Sequence, residues 1–472
     1  MRQRLVLWVA VLASFVSFLD GSIVNVALPS IAADLGGSIE TQQWVIDAYL
    51  LTLGSFILLA GSLSDAFGRI RIRRLGLVIF GIASVACALA PTAIVLIGSR
   101  AVQGAGAALL VPSSLALITA TFNGQARSRA IGTWTAWTGV AFVVGPPLGG
   151  LLVDTVGWRW IFMLNVLPIA LTLVLLVRLA RLGIPEHAVA GVRIDVFGAV
   201  LASLGLAGPV FALIEHGRLG WDDPLVLVPL IGGLICFATF LWWQTRSRHP
   251  LMPLSLFRAR NFAVGNIATA AVYAALSLGQ FIIAVYLQEV GGFSATAAGL
   301  ATIPLSILSI SLSTLFGSLA GRYGPRRFMT IGPLTMGAGF LLMLTVTDPL
   351  QFWLQMMPGI LLFGLGLSIT VAPLTSAILG AVSTAQSGIG SAVNNAVSRV
   401  AGLVAIACAG AIIGGTLDTD AFHRVVLVTA VLFIAGGLVS FAGIRTPKAA
   451  PDAAPDAAAD GAPDAAAGTP AA

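Results

Sequence analysis

Apolar segments long enough to cross a lipid bilayer recur along nearly the whole of this 472-residue chain. A transmembrane helix needs about 20 apolar residues, and these runs lack the alternation of a membrane-spanning β-strand. We count fourteen predicted spans, numbered in chain order: 6–30, 43–63, 75–91, 95–121, 128–152, 160–181, 195–215, 224–244, 262–287, 296–320, 327–347, 352–378, 388–415 and 422–443. The sequence therefore predicts an all-α, polytopic membrane protein with fourteen transmembrane helices.

The basic residues predict how these spans are oriented. Charged residues make up only 9% of the chain, against 58% hydrophobic residues. If the N-terminus is cytoplasmic, 20 of the 25 basic residues fall in cytoplasmic loops and termini and only three in outer loops. This distribution follows the positive-inside rule. We therefore expect a multi-pass protein of the cell membrane with both termini in the cytoplasm, and we attribute the net charge of +6 to this topology rather than to nucleic-acid binding.

One short motif occurs twice, 256 positions apart. Residues 61–71 read GSLSDAFGRIR and residues 317–327 read GSLAGRYGPRR, and each copy joins two apolar runs. A repeated basic hairpin between hydrophobic helices is typical of transporters that are built from two related halves. Lys448 is the only lysine, so the chain has no Walker-type nucleotide site, and we expect an ion gradient to supply the energy.

The position of the repeat divides the chain into four parts. Spans 1–6 (residues 1–183) and spans 9–14 (residues 262–445) form two predicted six-helix bundles, each with one copy of the motif. Residues 184–261 contain an inserted helix pair, spans 7 and 8, with flanking cytoplasmic loops. Residues 446–472 form an Ala/Pro/Asp-rich cytoplasmic tail that we expect to be disordered, because it has almost no large apolar side chain.

Asp20 is the one carboxylate deep inside a predicted span, roughly 15 Å from its outer end at 1.5 Å per residue. A charge at this depth is costly, and such residues commonly mark proton pathways. Arg100 and Gln103 in span 4 reach compatible depths, so we predict an Asp20–Arg100–Gln103 cluster that binds a proton. The alternative is a static ion pair that joins two helices. Asp47, near the start of span 2, is a weaker proton candidate.

Span 5 carries a ladder of small residues and proline that favours close packing and a bend. We predict a hinge or seal for the span from five of its residues: Gly132, Gly145, Pro146, Gly149 and Gly150. Candidate cargo contacts, chosen by position and chemistry, are Asn25, Trp134, Tyr273, Gln280 and Asn394. Arg399 is a second intramembrane charge, without an accompanying acid.

Several of these stretches resemble the fourteen-helix drug:proton antiporter branch of the major facilitator superfamily. The resemblance covers residues 5–445 and rests on five stretches: FLDGSIVNVALP (18–29), GSLSDAFGRIR (61–71), RAVQGAG (100–106), residues 132–150 of span 5, and WRWIFMLN (158–165). It implies a multidrug-resistance-type exporter that alternates between inward- and outward-facing states. It also implies a cytoplasmic latch formed by Gly61, Asp65, Gly68, Arg69 and Arg71.

Some positions depart from the family pattern. Ala66 replaces a basic residue of the latch motif, Ala141 replaces a glycine of the span-5 motif, and Gly321 stands where the first copy has Asp65. Ala66 predicts a weaker latch and Gly321 predicts two halves that do not latch equivalently, whereas Ala141 loosens the resemblance to exporters. Asn394 and Asn395 occupy positions where some relatives have acids, which argues against a preference for multivalent cations.

The leading hypothesis is proton-coupled export of an amphipathic or apolar small molecule, in which protons and cargo compete for one cavity. A proton-coupled importer of the same fold and a non-transporting membrane sensor or scaffold are the alternatives. The residues contain no metal-ligand spacing, no cofactor fingerprint and no catalytic arrangement, so we expect neither a metal, a cofactor nor enzyme activity. We expect the protein to work as a monomer.

Overall fold

The computed structural model describes residues 2–122, 124–181, 194–383 and 386–445, and regular structure in these ranges is entirely helical. The seventeen α-helices are α1 Arg2–Leu35, α2 Ile39–Phe67, α3 Arg69–Ala88, α4 Ala93–Thr121, α5 Gly124–Thr155, α6 Arg159–Met163, α7 Val166–Arg181, α8 Val196–Leu219, α9 Pro224–Arg246, α10 Arg260–Glu289, α11 Ala295–Ala301, α12 Ile303–Tyr323, α13 Pro325–Leu342, α14 Met357–Leu379, α15 Ser387–Ala407, α16 Ala409–Ile413 and α17 Thr419–Gly443. The predicted boundary near residue 183 and the tail at 446–472 lie outside the described ranges.

Thirteen helical segments in the described ranges are long and apolar enough to cross a membrane. They confirm the prediction of an all-α polytopic membrane protein. The predicted third span is helix α3, whose first six residues include four arginines and therefore lower its mean hydropathy. Three predicted spans consist of two helices each: α6 with α7, α11 with α12, and α15 with α16.

The same helix pairs pack in the first bundle (α1–α7) and in the second bundle (α10–α17). In the first bundle α1 packs against α5, and α4 packs against both α2 and α3. In the second bundle α10 packs against α15, and α14 packs against both α12 and α13. Small residues make these contacts close: a Cβ atom on Gly106 of α4 would lie 2.8 Å from the backbone nitrogen of Phe80 on α3.

The repeated motif forms the same one-residue turn in both bundles. Gly68 separates α2 from α3 with φ 94° and ψ 136°, and Gly324 separates α12 from α13 with φ 84° and ψ 152°. A positive φ disfavours residues that carry a Cβ atom, which explains the glycine at both positions. The two turns therefore give the sequence repeat a common backbone conformation.

The bundles contact each other closely toward one end, which we call the distal end: the end at which α1 finishes and α2 begins. There α5 packs against α11, and α2 packs against α15. The contact of α2 extends further, since Leu58 packs with the apolar cluster that contains Phe262 and Val393. The Asp154 carboxylate on α5 accepts hydrogen bonds from the backbone nitrogens of Ala295 and Thr296, at 3.2 and 2.8 Å, and so caps α11. Gln42 on α2 donates to Glu289 at the end of α10, at 2.6 Å. The distal ends of the two bundles are thus closed against each other.

The inserted pair α8 and α9 packs mainly on itself and then on the seam between the bundles. Helix α8 contacts α2 of the first bundle and both α15 and α16 of the second. A small apolar cluster buries Val210 and Ile214 of α8 with Leu403 and Ala407 of α15. Trp44 of α2 donates a hydrogen bond to Glu215 of α8, at 2.9 Å. The insertion therefore touches both sides of the interface at which the two bundles meet.

Candidate functional site

Asp20, Arg100 and Gln103 meet in the interior of the first bundle. Arg100 Nη1 lies 2.6 Å from Asp20 Oδ2, and both side chains are at most 1% exposed. Gln103 Nε2 donates to Asp20 Oδ1 at 2.9 Å, and Gln103 Oε1 accepts from Arg100 Nη1 at 2.6 Å. The structure thus brings the three predicted residues together. Their part in proton coupling stays a prediction.

Two further polar residues, Asn165 and Ser84, complete the network, and we did not select either from the sequence. Asn165 Nδ2 donates to Asp20 Oδ1 at 2.8 Å, and Gln103 Nε2 also donates to Ser84 Oγ at 2.9 Å. Asn165 is the last residue of the WRWIFMLN stretch, at the junction between α6 and α7. The sequence signal for Asn165 is a lone asparagine in an apolar run, because a buried amide group in a membrane needs a hydrogen-bond partner.

Arg100 is held by contacts beyond the carboxylate. Its Nε donates to the carbonyl oxygen of Val45 on α2 at 3.0 Å, and its guanidinium carbon lies 4.3 Å from the centroid of the Tyr49 ring. Tyr49 Oη in turn lies 3.1 Å from Ser17 Oγ of α1. Residues of α1, α2 and α4 are therefore joined by the contacts of Arg100 and Tyr49. We call the set Asp20, Ser84, Arg100, Gln103 and Asn165 the ionic network.

A narrow cavity of about 50 Å³ lies between the two bundles. Six helices and the junction of α11 with α12 supply its lining, which is apolar with a few amide and hydroxyl groups: Ser22, Asn25, Val26, Phe142, Pro146, Gln280, Ile283, Ala284, Ala298, Thr302, Leu305, Ser306, Ile360 and Phe363. A mostly apolar cavity with a few polar groups is typical of small-molecule sites. Asn25 and Gln280, two of the predicted cargo contacts, lie in this lining.

Asp20 faces away from the cavity. Residues along an α-helix are spaced by 100°, so Asn25 lies about 140° around α1 from Asp20. Consistent with this angle, Asp20 is 0% exposed and its partners are on α4 and at the α6–α7 junction, all within the first bundle. In this conformation Asp20 therefore lies apart from the cavity lining, and competition of protons and cargo for one cavity stays a prediction.

Trp134, Tyr273 and Asn394 are not among the lining residues of this cavity. Trp134 Nε1 donates to Ser14 Oγ of α1 at 2.9 Å. Asn394 donates to Asn266 Oδ1 and Thr269 Oγ1 of α10, at 3.2 and 2.9 Å. Tyr273 packs with the apolar clusters of the second bundle. Trp134 and Asn394 thus form hydrogen bonds between neighbouring helices.

The glycines predicted in the span-5 ladder pack against two different neighbours. A Cβ atom on Gly149 would lie 2.5 Å from Ile23 Cγ1 of α1, and one on Gly145 would collide with Ser22. Gly150 faces the other bundle, where a Cβ atom would collide with the backbone carbonyl of Ala295. Pro146 continues within helix α5, and its carbonyl approaches Gly299. Gly132 has open space around it, so close packing does not explain that glycine.

The predicted latch residues surround the turn between α2 and α3. Gly61 lies in the last two turns of α2 with open space around it, Gly68 forms the turn, and Arg69 and Arg71 begin α3. The Asp65 side chain lies outside the described part of the structure, so the predicted pairing of Asp65 with the other bundle stays a prediction. The described residues contain no group of three or more metal-ligating side chains.

Comparison with known proteins gives this arrangement a family. The model of the Major Facilitator Superfamily matches residues 10–286 and 262–467. Multidrug resistance protein Stp of Mycobacterium tuberculosis is 34% identical over 417 residues, which are 88% of this chain and 77% of that protein. The methylenomycin A resistance protein of Bacillus subtilis is 32% identical over 410 residues, 86% of this chain and 87% of that protein.

Solved structures of transporters share the fold. A peptide transporter POT in complex with sulfate has a TM-score of 0.68 at 18% identity and covers 93% of this chain and 94% of its own. A D-xylose-proton symporter has a TM-score of 0.66 at 15% identity, with 94% and 98% covered. At these identities the likeness concerns the fold alone. With the family match and the relatives above, it identifies the chain as a member of the major facilitator superfamily, a membrane-embedded transporter of small molecules rather than an enzyme.

Proposed function

We propose that this protein is a proton-coupled exporter of amphipathic or apolar small molecules of the drug or antibiotic type. The observation that carries the proposal is the ionic network: a carboxylate inside a membrane-spanning helix, 0% exposed, that is bonded to an arginine and two amides. Holding such a group in hydrocarbon is costly, and intramembrane carboxylates of this kind mark proton relays. The gradient of protons would supply the energy, and no cofactor is needed.

The proposed direction and cargo class are supported by the relatives. They are named for multidrug resistance, for methylenomycin A resistance and, in Streptomyces alboniger, for puromycin resistance, the last at 34% identity over 84% of this chain and 78% of that protein. The apolar lining of the cavity suits a small amphipathic molecule, since burying apolar surface is its main source of affinity. Asn25 and Gln280 would orient the cargo by hydrogen bonds.

In the proposed orientation the protein lies in the plasma membrane and both of its termini are in the cytoplasm. The distal end then faces outward, because the connections at the other end and the two termini carry 20 of the 25 basic residues. With the distal end closed, the cavity belongs to the inward-facing half of the cycle. An exporter loads its cargo from the cytoplasm in that state.

Coupling in this proposal runs through α1, which presents Asp20 to the first bundle and Asn25 to the cavity. Protonation of Asp20 removes the charge that holds Arg100 and thereby frees α1 to move relative to α4. A ligand shifts a two-state equilibrium only by its differential affinity for the two states. A bound proton and a bound cargo would therefore favour opposite states of α1, which is what antiport requires.

The test uses purified protein in inside-acid proteoliposomes that contain a pH-sensitive dye. Methylenomycin A, puromycin, a lipophilic cation and a neutral amphipath are added one at a time. We expect compound-dependent release of protons from wild-type vesicles and none from Asp20→Asn vesicles. Asp420→Asn, which neutralises an exposed carboxylate at the start of α17, is the matched control and should behave as wild type.

Two outcomes would contradict the proposal. Proton release by Asp20→Asn at the wild-type rate would remove Asp20 from the mechanism. Uptake of a compound that requires an inward proton gradient, with compound and protons moving in the same direction, would identify an importer that runs as a symporter.

A further inference from the structure

Asp47 is a second carboxylate inside a membrane-spanning helix, and it is bonded very differently from Asp20. It lies in the third turn of α2, about 12 Å from the start of that helix at 1.5 Å per residue. The side chain is 0% exposed. Within the part of the chain that the structure describes, neither Oδ1 nor Oδ2 has a hydrogen-bond partner. The transport scheme proposed above makes no use of this residue.

Asp47 lies on the face of α2 that meets the second bundle. Four residues earlier, Gln43 Nε2 donates to the carbonyl oxygens of Ile406 and Ala407, at 2.5 and 3.0 Å. Seven residues later, Gly54 contacts Arg399 and Val400 of α15, where a Cβ atom would lie 3.6 Å from Arg399 Cβ. Residues at i, i+4 and i+11 share one helix face. Asp47 is therefore enclosed by the contact that closes the distal end.

The helices around α2 carry several charged and titratable groups, and the described contacts bond most of them to partners other than Asp47. Cys408, at the junction of α15 and α16, lies within electrostatic range of the Asp47 carboxylate. Arg100 of α4 is bonded to Asp20, and Glu289 of α10 is bonded to Gln42. Glu215 of α8 is bonded to Trp44 and to Arg218.

His216 and Arg399, on the helices α8 and α15 next to α2, also have contacts of their own. His216 of α8 is stacked on Trp221. Arg399 of α15 contacts Gly54, about two turns further along α2, and lies 5.7 Å from the centroid of the Phe18 ring on α1. None of these contacts provides a cation bonded to the Asp47 carboxylate.

An ionised carboxylate in this position would lose its water shell and receive no hydrogen bond in return. The free-energy cost of such a charge far exceeds that of a neutral carboxyl group in the same place. Closure of the distal end therefore favours the protonated form of Asp47 over the ionised form. When the contact between α2 and α15 opens, water reaches the carboxyl group and the ionised form becomes favourable again.

We propose that Asp47 is a second proton-binding site, and that its protonation is the condition for closing the distal end. The proton comes from water at the distal side while that side is open, is trapped as α2 meets α15, and returns to the same water on reopening. Asp47 thus gates the cycle without carrying a net proton across the membrane. Asp20, with three bonded partners, remains the group proposed to carry one.

The experiment measures distal closure directly, without any cargo. Spin labels at Ala33→Cys of α1 and Thr416→Cys between α16 and α17, both exposed, are placed in protein whose three native cysteines are replaced by alanine. Pulsed dipolar distances are then recorded between pH 5 and pH 9. In this background the ratio of closed to open molecules should fall by up to about tenfold per pH unit once Asp47 ionises in the open state.

Asp47→Asn keeps the shape of the side chain and cannot ionise, so it should stay closed across the whole range. Asp47→Leu, which removes the polar atoms altogether, should do the same, and Asp420→Asn should titrate like the background. A background that does not change with pH, or an Asp47→Asn protein that opens with the same pH dependence, would overturn the proposal. Either result leaves the Asp20 proposal intact, because that is tested by proton release from vesicles.

Discussion

Asn165 Nδ2 donates a 2.8 Å hydrogen bond to Asp20 Oδ1, so the carboxylate of α1 is held by the α6–α7 junction as well as by α4. The same oxygen accepts a bond from Gln103 Nε2 at 2.9 Å, and the second oxygen faces Arg100. Three side chains therefore donate hydrogen bonds to one buried carboxylate. The helices that supply them all belong to the first bundle, so the environment of Asp20 depends on the packing of that bundle.

Asn165→Leu removes one donor from the ionised carboxylate and leaves the apolar surroundings intact. A hydrogen bond to a charged group contributes about 1.5–3 kcal/mol. We expect a lower melting temperature in detergent and slower cargo-driven proton release, because the buried carboxylate loses one of its hydrogen-bond donors. Both quantities are measured beside the wild-type protein.

Asn165→Asp is the companion to that variant. It preserves the size of the side chain and places a second carboxyl group next to Asp20, so a larger loss of thermal stability and of transport is expected. Unchanged melting temperatures and transport rates in both variants would contradict a role for Asn165 in holding Asp20.

Arg100→Lys keeps the positive charge but not the geometry. Arg100 donates to Val45 O, Asp20 Oδ2 and Gln103 Oε1 from one planar group. A lysine ammonium cannot make the same forked contacts. Loss of two hydrogen bonds costs about 2 kcal/mol, so we expect a lower melting temperature in detergent and a marked loss of transport.

Arg100→Met is expected to be worse than Arg100→Lys, because it leaves a buried carboxylate without its cation, at a cost of about 3–5 kcal/mol. The double variant Arg100→Met with Asp20→Asn removes the unpaired charge and should recover much of the thermal stability, but no proton coupling. A double variant as unstable as Arg100→Met alone would show that the ion pair is not the reason for the loss.

Gly150→Ala should hinder closure of the distal end. The added methyl group collides with the backbone carbonyl of Ala295, which cannot rotate away as a side chain could. Overpacking of this kind costs about 1–3 kcal/mol, so the ratio of closed to open molecules should fall by about five- to 150-fold. The Ala33/Thr416 label pair measures that ratio.

Gly132→Ala is the matched control on the same helix, because a Cβ atom there meets nothing within 4 Å. Both changes raise the helix propensity of α5 equally. A distal end that closes normally in Gly150→Ala, or opens in both variants, would contradict the sealing role of Gly150.

Gln280→Leu tests the cavity. Gln280 lines it beside Phe363 and Ile283, and it is one of few polar groups there. Removing one hydrogen bond to a polar cargo should weaken apparent binding by about three- to tenfold and leave the maximal rate of export unchanged. Gln288→Leu changes the same residue type two turns further along α10, outside the cavity lining, and should have no effect. Equal effects of the two changes would assign the cargo to another place.

The sequence by itself determined the membrane class, the α-helical fold, the repeat and the partnership of Asp20 with Arg100 and Gln103. Span length is readable because the bilayer requires about 20 apolar residues, whatever the neighbours are. The partnership was predictable because depth in the membrane follows from counting residues along two helices at 1.5 Å each. A polar group at a given depth can pair only with another group at that depth.

Only the tertiary structure decided which way each helix faces. Lipid chains are as apolar as a protein core, so an apolar span carries little record of which side meets lipid, which meets its own bundle and which meets the other bundle. For that reason the sequence alone did not predict that Asp20 lies away from the cavity, that Asn165 contacts Asp20, or that Asp47 is enclosed between α2 and α15. The packing of small residues along α1, α2, α4 and α5 sets the rotation of each helix about its axis. That rotation decides which neighbours each side chain contacts.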